Sequence, residues 1–251
     1  SDLAPGLFEV VLCTDGAVPG GLPFPCQVVP STGNAATDRN RGVQVARGRW
    51  VLFLEATSRP ERGCLGGHLR RQAVQTTPTA VLGRTDIAPH RIVDSLTHHL
   101  AHGTALRPQP ALAPDQAHPG ATFQATNTSI PTDVVREAGF DEALGHTGAD
   151  ASELGYRLER TAGVRVFYDA TLVCHEDVLH TLPAAGAQAL QSLGALEDLV
   201  QLYRGRRTSS DDLINNLVFA ALRTPAGHAE SVITQLWRAL VASDDLLKRF
   251  T

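Results

Sequence analysis

The 251-residue chain has no methionine and only one lysine, Lys248, among its 22 basic residues, so its cationic side chains are almost all arginine. That excess fits a GC-rich coding bias, and it also supplies planar guanidinium forks of the kind that grip diphosphate. No apolar run reaches the ~20 residues that span a bilayer, and no basic stretch leads into an apolar one at the start. These absences predict a soluble, cytoplasmic protein. Clustered positive charge is also lacking: the formal net charge of -4 argues against a general nucleic-acid binder, since a phosphate backbone is held mainly by basic clusters. Cys13, Cys26, Cys64 and Cys174 show no CxxC spacing and lie mostly in apolar patterns, which predicts buried thiols in a reducing compartment.

With 43% hydrophobic and 19% charged residues, the chain suits one large domain or a domain with a helical appendage. Four short apolar segments bounded by Gly or Pro read as strands: Phe8–Asp15, Cys26–Thr32, Arg49–Glu55 and Thr79–Ile87. Between the second and third, Asn34–Gly48 carries helical spacing through Ala36, Val43 and Ala46. After Glu55, Ser58 and Glu61 have the spacing of a capping box with Pro60 in the first turn, which predicts a helix to about Gln75. Strands alternating with helices predict an α/β fold, a mainly parallel sheet flanked by helices. Ligands of such sheets sit beyond the carboxyl ends of the strands, where Asp15 and Glu55 both fall.

Thr104–Gly120 has four prolines and few aliphatic anchors and reads as a mobile surface loop. Thr122–Ile130 and Val164–Asp177 resume strand character around a helix at Ser152–Gly163. From Gly186 the pattern is helical to the end, which divides the chain into a domain over 1–180 and a C-terminal helical extension over 181–251. His98, His99 and His102 include an i, i+4 pair without an acidic partner and read as a solvated helix face. Asn127 starts an N-T-S triplet, which in a cytosolic protein is a chance match to a glycosylation acceptor. Asp141 and Glu142 fit either a cap or an acceptor-side turn.

Four stretches, FEVVLCTDG, DRNRGVQVARGRWVLFLEATSRPERGCL, TNTSIPTDVVREAGFDEAL and DASELGYRLERTAGVRVFYDATLVCHED, follow in order and spacing the landmarks of family 2 glycosyltransferases. The resemblance covers roughly Leu7 to Asp177 and implies a GT-A fold. It implies transfer of a sugar, with inversion, from a nucleoside-diphosphate sugar to an acceptor hydroxyl, assisted by Mn or Mg, in a bacterial-type enzyme. Carried over position by position, it assigns Asp15 to the base, Arg39 and Asn40 to the nucleotide-binding loop, and Glu55, Thr57 and His175 to the metal. In the gapless register Ala151 falls where the general base should be; a one-residue shift before Glu153 puts Asp150 there, with Glu153 in reserve.

Each charged landmark is altered. The aspartate pair becomes Thr14-Asp15, the D-x-D triplet becomes Glu55-Ala56-Thr57, and the acidic pair becomes Asp150-Ala151. The family's first strand and helix have no counterpart before Ser1. The same residues therefore support an alternative, a catalytically degenerate relative that acts as a nucleotide-binding or partner-binding scaffold. Expected partners are a nucleotide sugar and an acceptor, without nucleic acid, and the C-terminal helices offer a surface for an oligomer or a partner protein.

Overall fold

The computed structural model describes residues 3–17, 20–93, 112–145 and 149–178. Two apolar segments, β1 (Val10–Cys13) and β2 (Cys26–Val29), pair in parallel as a small sheet of their own. The main sheet is built from β3 (Trp50–Phe53), β4 (Ser58–Pro60), β5 (Thr79–Ile87), β6 (Gln116–His118), β7 (Thr128–Pro131) and β8 (Arg165–Glu176). Its order is β3-β7-β5-β8-β4, with β6 also paired to β8. The α/β architecture is as expected, but the main sheet is mixed. β7 enters antiparallel between β3 and β5, and β4 and β6 run antiparallel to β8, leaving β5 with β8 as its parallel pair.

Four helices are described: α1 (Ala35–Val45), α2 (Cys64–Ala73), α3 (Thr132–Ala138) and α4 (Asp150–Ala162). The α1 start is fixed by Asn34, whose side chain accepts from the Thr37 backbone N–H at 3.0 Å. One turn on, Asp38 accepts from Ser31 Oγ at 2.6 Å and from the Thr32 amide at 2.7 Å, which ties the helix back to the end of β2. Burial pushes the Asp38 carboxyl up, yet these bonds outweigh it and hold the group below its ordinary value. At the other end of the domain, α4 stops at Gly163, whose φ of 66° is the left-handed conformation that glycine adopts without strain.

The helix expected from Ser58 starts later. Ser58–Pro60 is strand β4, paired with Cys174–Glu176, and the Glu61 amide donates to Val173 O at 3.0 Å. Antiparallel pairing therefore overrides the local capping pattern, and Pro60, which has no N–H to give, sits on a strand with one partner. The stretch expected as a mobile loop is also partly ordered, since Gln116–His118 pairs with Val166–Tyr168. Residues 104–111, the histidines at 98, 99 and 102, and the expected C-terminal extension lie outside the described residues.

Cys64 of α2 packs in a small cluster with Val81 and Leu172, and a larger core joins the other layers. Phe53, Leu82, Phe123, Ile130, Leu154 and Val166 are all buried in it, and α1 contributes Ala36 and Val43. Phe53 meets Phe123 and Phe140 edge-on at ring separations of 6.4 and 5.4 Å. Close approach of α4 to the turn at Gly120–Thr122 depends on two glycines, because a Cβ on Gly120 or Gly155 would overlap the other's backbone.

Candidate functional site

Strand β3 ends in the core at Phe53, and the chain emerges with Glu55 exposed at its carboxyl end. Two turns of chemistry meet there through Arg39 of α1. Its Nη2 lies 3.2 Å from Glu55 Oε1, and its Nη1 lies 2.5 Å from Asp150 Oδ2 at the first turn of α4. The three side chains differ sharply in exposure: 53% for Glu55, 21% for Arg39 and 3% for Asp150. A buried carboxylate at a helix N-terminus is favoured by the exposed amides there, and the guanidinium supplies its counter-charge.

Asn40 sets this arrangement indirectly. Its Oδ1 accepts from the Phe140 amide at 2.7 Å and its Nδ2 donates to Phe140 O at 3.0 Å, so both ends of the side-chain amide hold the backbone of one residue. The Phe140 ring thus anchored lies under Arg39, 5.6 Å from guanidinium carbon to ring centroid. Asn40 also donates to Glu142 Oε1 at 3.0 Å, and that bond leads the causes that hold the exposed Glu142 carboxyl below its ordinary value. Asp141 caps the following turn by accepting from the Ala143 amide at 3.1 Å.

Glu153 is buried but occupied: Arg157 Nε and Nη2 donate to its two oxygens, each at 2.9 Å. The same guanidinium donates to Ala138 O and Gly139 O, both at 2.7 Å, which pins the end of α3 to α4. Glu153 is in these terms a structural partner. Asp15 is exposed just past the end of β1, where Thr14 is fixed by its amide donating to Val29 O at 3.0 Å.

The residues expected at a metal are brought near one another by strand pairing rather than by convergence of side chains. Thr57 O accepts from the Asp177 amide at 2.9 Å, and His175 is in register with Arg59. His175 Nε2 is 2.7 Å from Glu61 Oε1, while its Nδ1 is buried without a partner. Glu55 is engaged by Arg39. Among the described residues no three His, Cys, Asp or Glu side chains come together as a cation site. The set Glu55, Thr57 and His175 therefore does not form a ready cage for Mn or Mg.

One cluster at this end escaped the reading of the sequence. Asp177 accepts from Arg91 Nε at 2.7 Å and from Arg59 Nη1 at 3.0 Å, with His90 Nε2 2.9 Å away. Arg91 first, then Arg59, hold its carboxyl down at about 2. The final acid of the HED triplet was the available signal, but its partners come from two other segments. A cleft of about 410 Å³ lies at the opposite end of the sheet, lined by Arg49, Trp50, Gln75, Thr77 and Arg136 among others, and contains none of the expected site residues.

No family model matches the chain, and no curated protein matches it. Solved structures do. The 1–349 segment of TarS from S. aureus in complex with UDP-GlcNAc aligns with 94% of this chain at 13% identity and a TM-score of 0.50. A mannosyltransferase from Pyrobaculum calidifontis in complex with GDP-Man and Mn2+ aligns with 88% at 16% identity and a TM-score of 0.49. This chain spans 66% and 59% of the lengths of those two. At such identities the likeness establishes the fold, a GT-A-like α/β sheet flanked by helices.

Proposed function

We propose that the chain transfers a sugar from a nucleoside-diphosphate sugar to an acceptor hydroxyl with inversion, as a divergent member of the family 2 type. The observation that carries this reading is the ion-pair chain in which Arg39 joins Glu55, at the mouth of β3, to Asp150, at the head of α4. Breaking the glycosidic bond builds charge on the departing diphosphate, which calls for a cation at the strand ends. Attack by the acceptor calls for a carboxylate on the other side of the sugar, within reach of its hydroxyl proton. Arg39 and Asp150 are of the right kinds for these two tasks. The donors bound by the TarS and Pyrobaculum structures, UDP-GlcNAc and GDP-Man, support a nucleotide-sugar donor.

The described side chains supply no preformed metal cage, so no step is assigned to Mn or Mg. Asp15 would meet the nucleotide base, and Asn40 would serve by fixing Phe140 beneath Arg39. The test is calorimetry of the full chain against UDP, GDP and dTDP, each with Mn and with a chelator, followed by transfer assays from the sugar donor of whichever nucleotide binds. Binding followed by transfer is the expected result. Silence across the panel would favour the scaffold reading, which the loss of one acid from each landmark pair also supports.

A further inference from the structure

Resting on the donor reading above, we infer that Arg39 is a transferable latch: it holds Asp150 idle in the free protein and hands it over as the base when a diphosphate arrives. The geometry separates the two ends of the latch. Toward solvent the guanidinium faces the exposed Glu55 carboxylate across 3.2 Å, and inward it makes a 2.5 Å contact with an Asp150 side chain that is 3% exposed. The outer bond, to a solvated partner, is weak and easily exchanged. The inner bond is strong but depends on the cation staying in place, because a buried charge that loses its partner is costly.

A diphosphate offers the same planar fork more negative charge than Glu55 does, with oxygens spaced for bidentate contact. As Arg39 swings toward it, the Phe140 ring gives the guanidinium a surface to slide over, and Asn40 fixes that residue by its backbone amide and carbonyl. Asp150 is then a buried carboxylate with its counter-ion withdrawn. Taking the proton of the acceptor hydroxyl removes that uncompensated charge. The acceptor oxygen forms its bond to the anomeric carbon, the bond from that carbon to the diphosphate oxygen breaks, and its electron pair leaves on the nucleoside diphosphate. Without the donor, Asp150 keeps its ion pair with Arg39 and has no uncompensated charge for the acceptor's proton to relieve. The latch therefore makes the base available only when a donor is bound, so donor precedes acceptor.

Competition between Asp150 and the diphosphate for one cation gives a result that a plain binding arginine would not. Asp150→Asn removes the competing charge, so UDP or GDP should bind about 3- to 10-fold tighter while turnover falls, within the coupling expected of side chains in contact. In an Arg39→Gln background the tightening should vanish, which is the signature of coupling in a double-mutant cycle. Arg39→Gln alone should weaken UDP or GDP binding about 10-fold or more, and Arg39→Lys should restore part of the affinity but little of the turnover, since lysine lacks the fork that spans two partners.

Calorimetry on the full chain with UDP and GDP reads all of these, and thermal melts of each variant report folding. If the unmutated protein binds a nucleotide and Asp150→Asn leaves that affinity unchanged or weaker in a folded variant, the latch is overturned and the donor reading survives. If none of UDP, GDP and dTDP binds the unmutated protein, the donor reading falls and the latch falls with it.

Discussion

Two polar clusters lie beneath this sheet, and they are built in opposite ways. At the carboxyl end, Arg39, Glu55 and Asp150 form a chain of full charges that runs from solvent to the interior. Under α2, by contrast, His68, Asn127, Ser129 and Gln72 are all buried and joined by neutral hydrogen bonds. Asn127 is its centre. Its Nδ2 donates to Arg84 O at 2.9 Å and to Leu172 O at 2.8 Å, across the point where the β5–β8 register breaks after Gly83. The neutral cluster borders the far cleft through Gln72 but stays buried throughout, and it serves to seal a bulge. The charged one keeps one end exposed, where its bonds can be traded for those of a ligand. Buried polar groups thus divide by accessibility and charge into those that hold the sheet and those that can act on something bound to it.

The sharpest way to break this comparison is to remove one carboxylate from the charged cluster. Asp150→Asn should lower turnover by ~10² to 10⁴, the range for loss of a general base, and cost about 1 to 3 kcal/mol of stability by weakening the buried pair with Arg39, which leaves the variant folded. Steady-state assays on the folded variant check it, and turnover within twofold of the unmutated protein would strip Asp150 of its role. The neutral cluster should answer the other way. Asn127→Ala strands the Arg84 and Leu172 carbonyls and the His68 ring, and should destabilise by about 3 kcal/mol or more in urea titrations.

Acid offers a gentler probe of the same contrast. Burial lowers His68 from its ordinary 6.5 to about 4, with Asn127 and Asp169 only partly opposing it. The unfolded chain therefore binds a proton that the folded one refuses, and stability contributed by neutral His68 is lost as pH falls from about 6.5 toward 4. Urea midpoints between pH 7 and 4.5 should decline by an amount worth up to about 3 kcal/mol, and His68→Gln should flatten the decline. Asp177, held at about 2 by Arg91 and Arg59, adds its loss only below the ordinary carboxylate range. Glu153→Gln is expected to matter least to chemistry. It should cost about 1 to 3 kcal/mol of stability by weakening the buried pair with Arg157, and change turnover less than tenfold. Equal losses of turnover from Glu153→Gln and Asp150→Asn would erase the distinction between them.

Legibility in the sequence followed the range of the interaction. Glu55 at a strand end, the Asn34–Gly48 helix and the helix after Asp150 could all be read because apolar periodicity and caps are local. Ser58, Pro60 and Glu61 were misread for the same reason: their local spacing suits a helix start, while the pairing that makes them a strand comes from Cys174–Glu176. Asn127 read as a chance triplet, since nothing within a few residues announces a buried side chain that contacts Cys64, His68, Arg84 and Leu172. Asn40 was legible as part of a nucleotide-binding pattern, yet its bonds go to Phe140, 100 residues away.

By itself, the sequence determined where strands and helices alternate and which strand ends carry an acid, because burying an apolar stripe needs only the right period along the chain. The tertiary structure decided what each charge is paired with. Arg39 and Asp150 are 111 residues apart in the chain, and no period links them. Only when β3, α1 and α4 pack around Phe53 and Phe140 does a guanidinium come between an exposed carboxylate and a buried one. The strength of an ion pair falls with distance and rises with burial, and both quantities are set by folding.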